Sequence, residues 1–183
     1  KILRRELREG FDRVGRLGRG ILGVVDSRGL FGREPNPAYV EKVQEPEFAV
    51  AELDRAVKQL GLRGIELCTN VAGAELSEAK FRPVFARAEE LGVLVFLHPG
   101  GFTEGRRLSD HYFSNVIGNP LDTTIALQKL IFEGVFDKFP ELKVLGAHGG
   151  GFLGSYAPRM DRSCHVSPQN CNPRSEEHTS ELQ

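Results

Sequence analysis

The stretch "VLVFLHPGG", Val93–Gly101, runs five apolar residues into a histidine and then into Pro-Gly-Gly. About fifty residues later "VLGAHGGG", Val144–Gly151, repeats the shape. An unbroken apolar run of this length, bounded by glycine and proline, reads as a strand buried on both faces. Two such strands therefore each deliver a histidine, His98 and His148, to a glycine-rich exit.

The surroundings of these strands punctuate themselves regularly. "EPEFAVAELDRAVKQLG" puts Val50, Leu53, Val57 and Leu60 on one helical face, with Pro46 near its start and Gly61 just past its end. "RGIELCTN" reads as a short strand closing on Asn70. "SEAKFRPVFARAEELG" is a second helix, with Ser77 as N-cap, Phe81, Val84, Phe85, Ala88 and Leu91 inward, and Gly92 as its stop. After His98 comes a loop from Pro99 to about Asp110. "NPLDTTIALQKLIFEGVFDKFP" is a long helix, weakened at Gly134 and closed by Pro140, and "LKVLGAH" is the next strand. Ile21–Val25 offers a fourth strand further upstream.

Strands alternating with helices predict right-handed βαβ units and a parallel sheet. In such folds function gathers at the loops leaving the C-terminal ends of the strands. Both histidines sit there, and Asn70 is expected at the corresponding place. Each glycine-rich exit is expected to let a substrate approach the backbone. The regular pattern spans residues 45–161. Residues 1–44 match it poorly, and residues 162–183, polar and without period, are expected to be disordered or non-native.

Composition narrows the class. A chain of 183 residues, 40% hydrophobic and 27% charged, has room for one core. Its net charge of −1 predicts no nucleic-acid partner, and it has no apolar run long enough for a membrane span. The basic residues near the N-terminus (Lys1, Arg4, Arg5, Arg8, Arg13, Arg16 and Arg19) alternate with Glu6, Glu9 and Asp12, so they read as a solvated helical face rather than a presequence. Cys68, Cys164 and Cys171 are too few and too uneven for a disulfide framework, which predicts a reduced, cytoplasmic protein.

Imidazole serves as metal ligand or as acid and base near neutral pH, so two of them on one rim predict a joint site. The segments "LVFLHPGGF", "NPLDTTIALQKLIFEGVFDKFPELKVLGAHGGGFL" and "APRMD" go further. Over roughly Gln44 to Asp161 the chain resembles the amidohydrolase-related family, and within it the branch of aminocarboxymuconate-semialdehyde decarboxylase and other metal-dependent aromatic acid decarboxylases. The resemblance implies a partial (β/α)8 TIM-type barrel of parallel strands and one divalent metal ion, zinc or manganese. It implies that His98 is a metal ligand, that His148 is the acid/base beside it, and that Arg159 reaches a substrate carboxylate, in some members from the neighbouring subunit. A homodimer acting on a small-molecule carboxylic acid follows from the same resemblance.

The sequence departs from the family in several places. Pro158 stands where the family usually has glycine before the arginine. No His-x-His or Glu-x-His pair precedes the matched region, no aspartate of an eighth strand follows it, and a whole barrel takes about 250 residues. The only methionine is Met160 and the chain begins at Lys1. These features predict an internal fragment of an enzyme with an incomplete metal site.

Weaker signals surround this core. "GRLGRG" follows no clear strand and does not read as a phosphate loop. Cys164, His165, Cys171 and His178 have zinc-like composition without zinc-site spacing. Arg106 and Arg107 either meet an anionic substrate or are solvated. Asp110 and His111 are candidates for the pocket lining. Phe102 and Phe152 either wall an aromatic substrate or pack in the core, and Cys68 reads as a small buried hydrophobe. The leading expectation is a carboxy-lyase acting on an aromatic or unsaturated carboxylic acid. Metal-dependent hydrolysis of an ester, lactone or amide is the first alternative, and a truncated, inactive domain the second.

Overall fold

The structure, a computed structural model, describes residues 22–23, 46–59, 61–100 and 106–171. In chain order its elements are β1 (Leu22–Gly23), α1 (Pro46–Lys58), β2 (Gly64–Leu67), β3 (Asn70–Val71), β4 (Ala74–Glu75), α2 (Arg82–Glu90), β5 (Leu94–Leu97), α3 (Asn119–Phe132), α4 (Val135–Lys138), β6 (Lys143–Gly146) and α5 (Leu153–Val166). The main sheet has the order β1-β2-β5-β6, and every pairing in it is parallel. Ile65 pairs with Val95 and Val95 with Val144, so the strand ends are level. Four parallel strands in chain order, with helices between them, form part of the expected (β/α) barrel.

One face of the sheet is sealed. Ile65 and Leu67 of β2 and Val95 and Leu97 of β5 are buried against Leu53 of α1, Val84, Phe85 and Ala88 of α2, and Leu127, Leu130 and Ile131 of α3. The opposite face carries Glu66, Phe96 and Leu145, all only half-buried. The expectation that β5 is buried on both sides is therefore not met among the described residues. Its burial alternates strictly, as for a strand with one covered face.

The helices follow their sequence signals with instructive shifts. In α1 the buried stripe is Ala49, Glu52, Leu53 and Ala56, while Val50 and Val57 flank it half-buried. The face is rotated because Glu52 can be buried while paired with Arg55, and because Asp54 is drawn toward α2 by Arg87, whose Nε and Nη2 donate to Asp54 Oδ1 at 2.9 and 2.7 Å. Leu60 lies outside the described residues. Gly61 and Gly92 take the left-handed conformation expected past a helix end.

Ser77 does not cap α2. It is buried one turn earlier, and a short 3-10 turn, Ala79–Phe81, leads into the helix; Glu78 Oε1 accepts the Glu75 amide at 2.9 Å and caps nothing. Gly134 does more than weaken the long helix. At φ +68° it separates α3 from α4.

The C-terminal end differs from expectation in two ways. Helix α5 continues past Asp161 to Val166, and a 3-10 turn follows at Pro168–Asn170. Cys164, buried on the last turns of α5, then meets Cys171 with a Cα–Cα separation of 5.5 Å and forms a disulfide, in place of the reduced pair predicted. That bond removes Cys164 and Cys171 from any zinc cluster. Among the described residues no helix is long and apolar enough to cross a membrane.

Candidate active site

His98 is the first residue past β5, its amide donating to the Leu67 carbonyl at 3.0 Å, so the sheet ladder extends one step and puts the ring on the face that carries Glu66 and Phe96. His148 lies two residues past β6, and its backbone sits at φ +56°. A non-glycine residue in that region costs about 1–3 kcal/mol and persists only where its surroundings enforce it. The two rings face each other with centroids 5.4 Å apart. Strand level alone brings them together: Leu97 and Gly146 are register partners, and each histidine follows closely.

Electrostatics separates the two rings. His148 is largely open to solvent. The burial it does have, and then the charge of His98, hold its pKa below the ordinary 6.5. The neutral ring is the resting form near neutral pH. His98 has Glu66 Oε1 at 3.9 Å from its Nδ1, with Phe96 against its other side at 5.9 Å between centroids. Glu66 was not singled out by sequence, although a charge between Ile65 and Leu67 in a short strand marks a residue on the face opposite the core.

Two further residues are visible only in three dimensions. Thr123 and Thr124 lie near the start of α3 and are both buried. Thr123 Oγ1 lies 3.1 Å from His148 Nδ1. Thr124 Oγ1 donates to the Pro120 carbonyl at 2.8 Å and accepts the Phe152 amide at 2.7 Å. Adjacent hydroxyls thus grip the glycine turn on both sides of Gly149–Gly151. Below them Thr69, closing the β2 exit, donates to Asp122 of the same helix.

The glycines of the second exit do two different things. At Gly149 and Gly150 a Cβ would meet nothing, and that part of the turn is open to an approaching molecule. Gly151 is closed: a Cβ there would fall inside contact distance of the Pro120 carbonyl and Thr124 Oγ1. Its role is to let the turn press against α3, not to clear space for substrate.

The other sequence candidates fall into place less centrally. Asn70 belongs to the separate β3–β4 hairpin, where it is exposed and its Oδ1 accepts the Gly73 amide at 3.2 Å. It does not join the histidines, because the chain leaves the main sheet at Cys68. Cys68 itself is half-buried rather than buried. Arg106, Arg107, Asp110 and His111 are exposed, and Phe102 lies outside the described residues. Phe152 is not in the core; it is 36% exposed and meets the Tyr156 ring at a tilt of 59°. Arg159 is exposed on α5, on the side of the helix that carries Tyr156. Pro158 stands within α5, leaving the Gly154 carbonyl without its usual helical donor.

His98 presents an imidazole on the rim with a carboxylate nearby, but the described residues contain no group of three or more candidate ligands. They do not by themselves make a metal site, since a catalytic ion takes about three protein ligands.

The sequence profile of the amidohydrolase family matches residues 36–163. The chain belongs to the amidohydrolase family. This amidohydrolase chain is 35% identical over 138 residues to 2-amino-3-carboxymuconate-6-semialdehyde decarboxylase of Dictyostelium discoideum, covering 72% of the chain and 38% of that protein. The crystal structure of 5-carboxyvanillate decarboxylase from Sphingomonas paucimobilis superposes with a TM-score of 0.63 at 26% identity, over 69% of this chain and 38% of the other. A dihydroxybenzoic acid decarboxylase from Polaromonas, solved with manganese and the inhibitor 2-nitroresorcinol, gives 0.61 at 26% identity over 67% and 40%. The amidohydrolase chain thus spans about two fifths of the length of these relatives.

Proposed function

We propose that the protein is a metal-dependent carboxy-lyase of the amidohydrolase superfamily that decarboxylates an aromatic or unsaturated carboxylic acid. The observation that carries this reading is the His98–His148 pair, 5.4 Å between ring centroids, at the C-terminal rim of a parallel sheet. In this reading His98 is a ligand to a divalent ion, manganese or zinc, whose other ligands come from outside the described residues. Such an ion, when bound, stabilises negative charge on the reacting acid.

His148 performs the proton transfer. As the bond to the carboxylate breaks, carbon dioxide leaves and the electron pair remains on the substrate carbon. His148, neutral at rest, takes up a proton from solvent at its exposed ring before this step; the imidazolium then gives that proton to the carbon and returns to its neutral form. The lowered pKa of His148 supports this role, because a ring that prefers to be neutral gives up its proton readily. Arg159 would anchor the substrate carboxylate from a neighbouring subunit of a homodimer; its exposure beside the Phe152–Tyr156 ring pair is compatible with a covered face.

The test is expression of the chain in its natural reading frame, followed by assay of carbon dioxide release against proton release over aromatic acids and lactones. The reading expects carbon dioxide from at least one acid, and about a hundredfold or greater loss of kcat in His148→Asn. It also expects loss of bound divalent metal in His98→Ala. Proton release from lactones without carbon dioxide from any acid would replace the lyase with a hydrolase.

A further inference from the structure

We propose that Thr123 is a positioning residue that fixes His148 in its Nδ1–H tautomer, leaving Nε2 as the ring atom that accepts and returns a proton. Thr123 is fully buried, and its hydroxyl has two polar neighbours: the Asn119 carbonyl oxygen at 3.0 Å and His148 Nδ1 at 3.1 Å. A hydroxyl carries one proton. The carbonyl can only accept, and two oxygens 3.0 Å apart with no proton between them would repel. The proton therefore lies on the line to Asn119, the bond back to the carbonyl four residues earlier that helical threonine commonly makes. Only lone pairs of Oγ1 then remain to face the ring, so Nδ1 must be the donor.

The surrounding structure holds the ring in that relation. His148 is carried on a left-handed backbone, and the turn after it is tied to the same helix through the Phe152 amide and Thr124 Oγ1. Gly151 presses directly on Pro120 and Thr124. These contacts fix the backbone from which the imidazole reaches Thr123. The catalytic consequence rests on His148 being the proton carrier, but the tautomer does not depend on that reading.

Nitrogen NMR of the full chain labelled with 15N-histidine reads the tautomer without turnover, so failure here is distinct from failure of the lyase reading. Spectra are taken at alkaline pH, where the imidazoles are neutral, and the His148 signals among the five histidines are assigned by their loss in His148→Asn. The expected result is a pyrrole-like Nδ1 and a pyridine-like Nε2. Thr123→Val, or Thr123→Ala should the isostere not fold, is expected to move the pattern to Nε2–H or to an average of the two forms. Thr123→Ser, which keeps the hydroxyl, is expected to preserve the wild-type pattern. An Nε2–H or averaged wild-type ring overturns the proposal, as does a hydroxyl-free variant that keeps Nδ1–H or a serine variant that loses it.

Discussion

Gly149 and Gly151 share a φ of +64° but differ in ψ, +24° against −126°, and in surroundings, and both differences predict lower tolerance at position 151. An alanine at position 149 meets open space, so Gly149→Ala bears only the backbone cost, about 1 kcal/mol. At position 151 the same methyl is driven into the Pro120 carbonyl and the Thr124 hydroxyl, which adds ~1–3 kcal/mol of overpacking. Urea unfolding of the two variants should therefore give a clearly lower midpoint for Gly151→Ala. Equal midpoints would mean that the turn does not press on α3. The four-residue repeat of glycine and histidine was legible in sequence, but not this division of labour within it. Glycine in a string of letters does not say whether it faces a void or a neighbour.

Between elements, one carboxylate joins α1 to α2 at the edge of their apolar contact. Arg87 first, then Lys58, holds the Asp54 pKa below its ordinary 3.8. A carboxylate whose folded pKa is lowered contributes stability that is present above its unfolded value and lost as pH falls through the folded one. Asp54→Asn should thus lower the melting temperature at neutral pH, with the difference from wild type shrinking as pH falls below 3.8. A difference that persists unchanged in acid would assign the effect to packing instead. The helices and strands themselves were readable because periodicity, proline and glycine act over a few residues. Ser77 misled because a 3-10 turn, Ala79–Phe81, intervenes between it and the helix. Thr123 and Glu66 were silent because their partners lie 25 and 32 positions away, and the sheet register that joins them is a tertiary property.

For the molecule as a whole, the two faces of the sheet should respond differently to truncation. Leu97→Ala removes a side chain packed among helices and is expected to cost about 2–5 kcal/mol. Phe96→Ala removes a larger side chain from the half-open face and is expected to cost less in this chain, despite the greater volume. Chemical denaturation of the two variants checks the order; a reversed order would mean that the face carrying Phe96 is fully covered. The sheet also has a simpler property. Its strands lie in the order in which they occur in the chain, each beside the one before it. A polypeptide laid out this way can be assembled vectorially as it leaves the ribosome. Within these four strands, each emerging strand finds its template already in place and closes the loop of one crossover rather than of several.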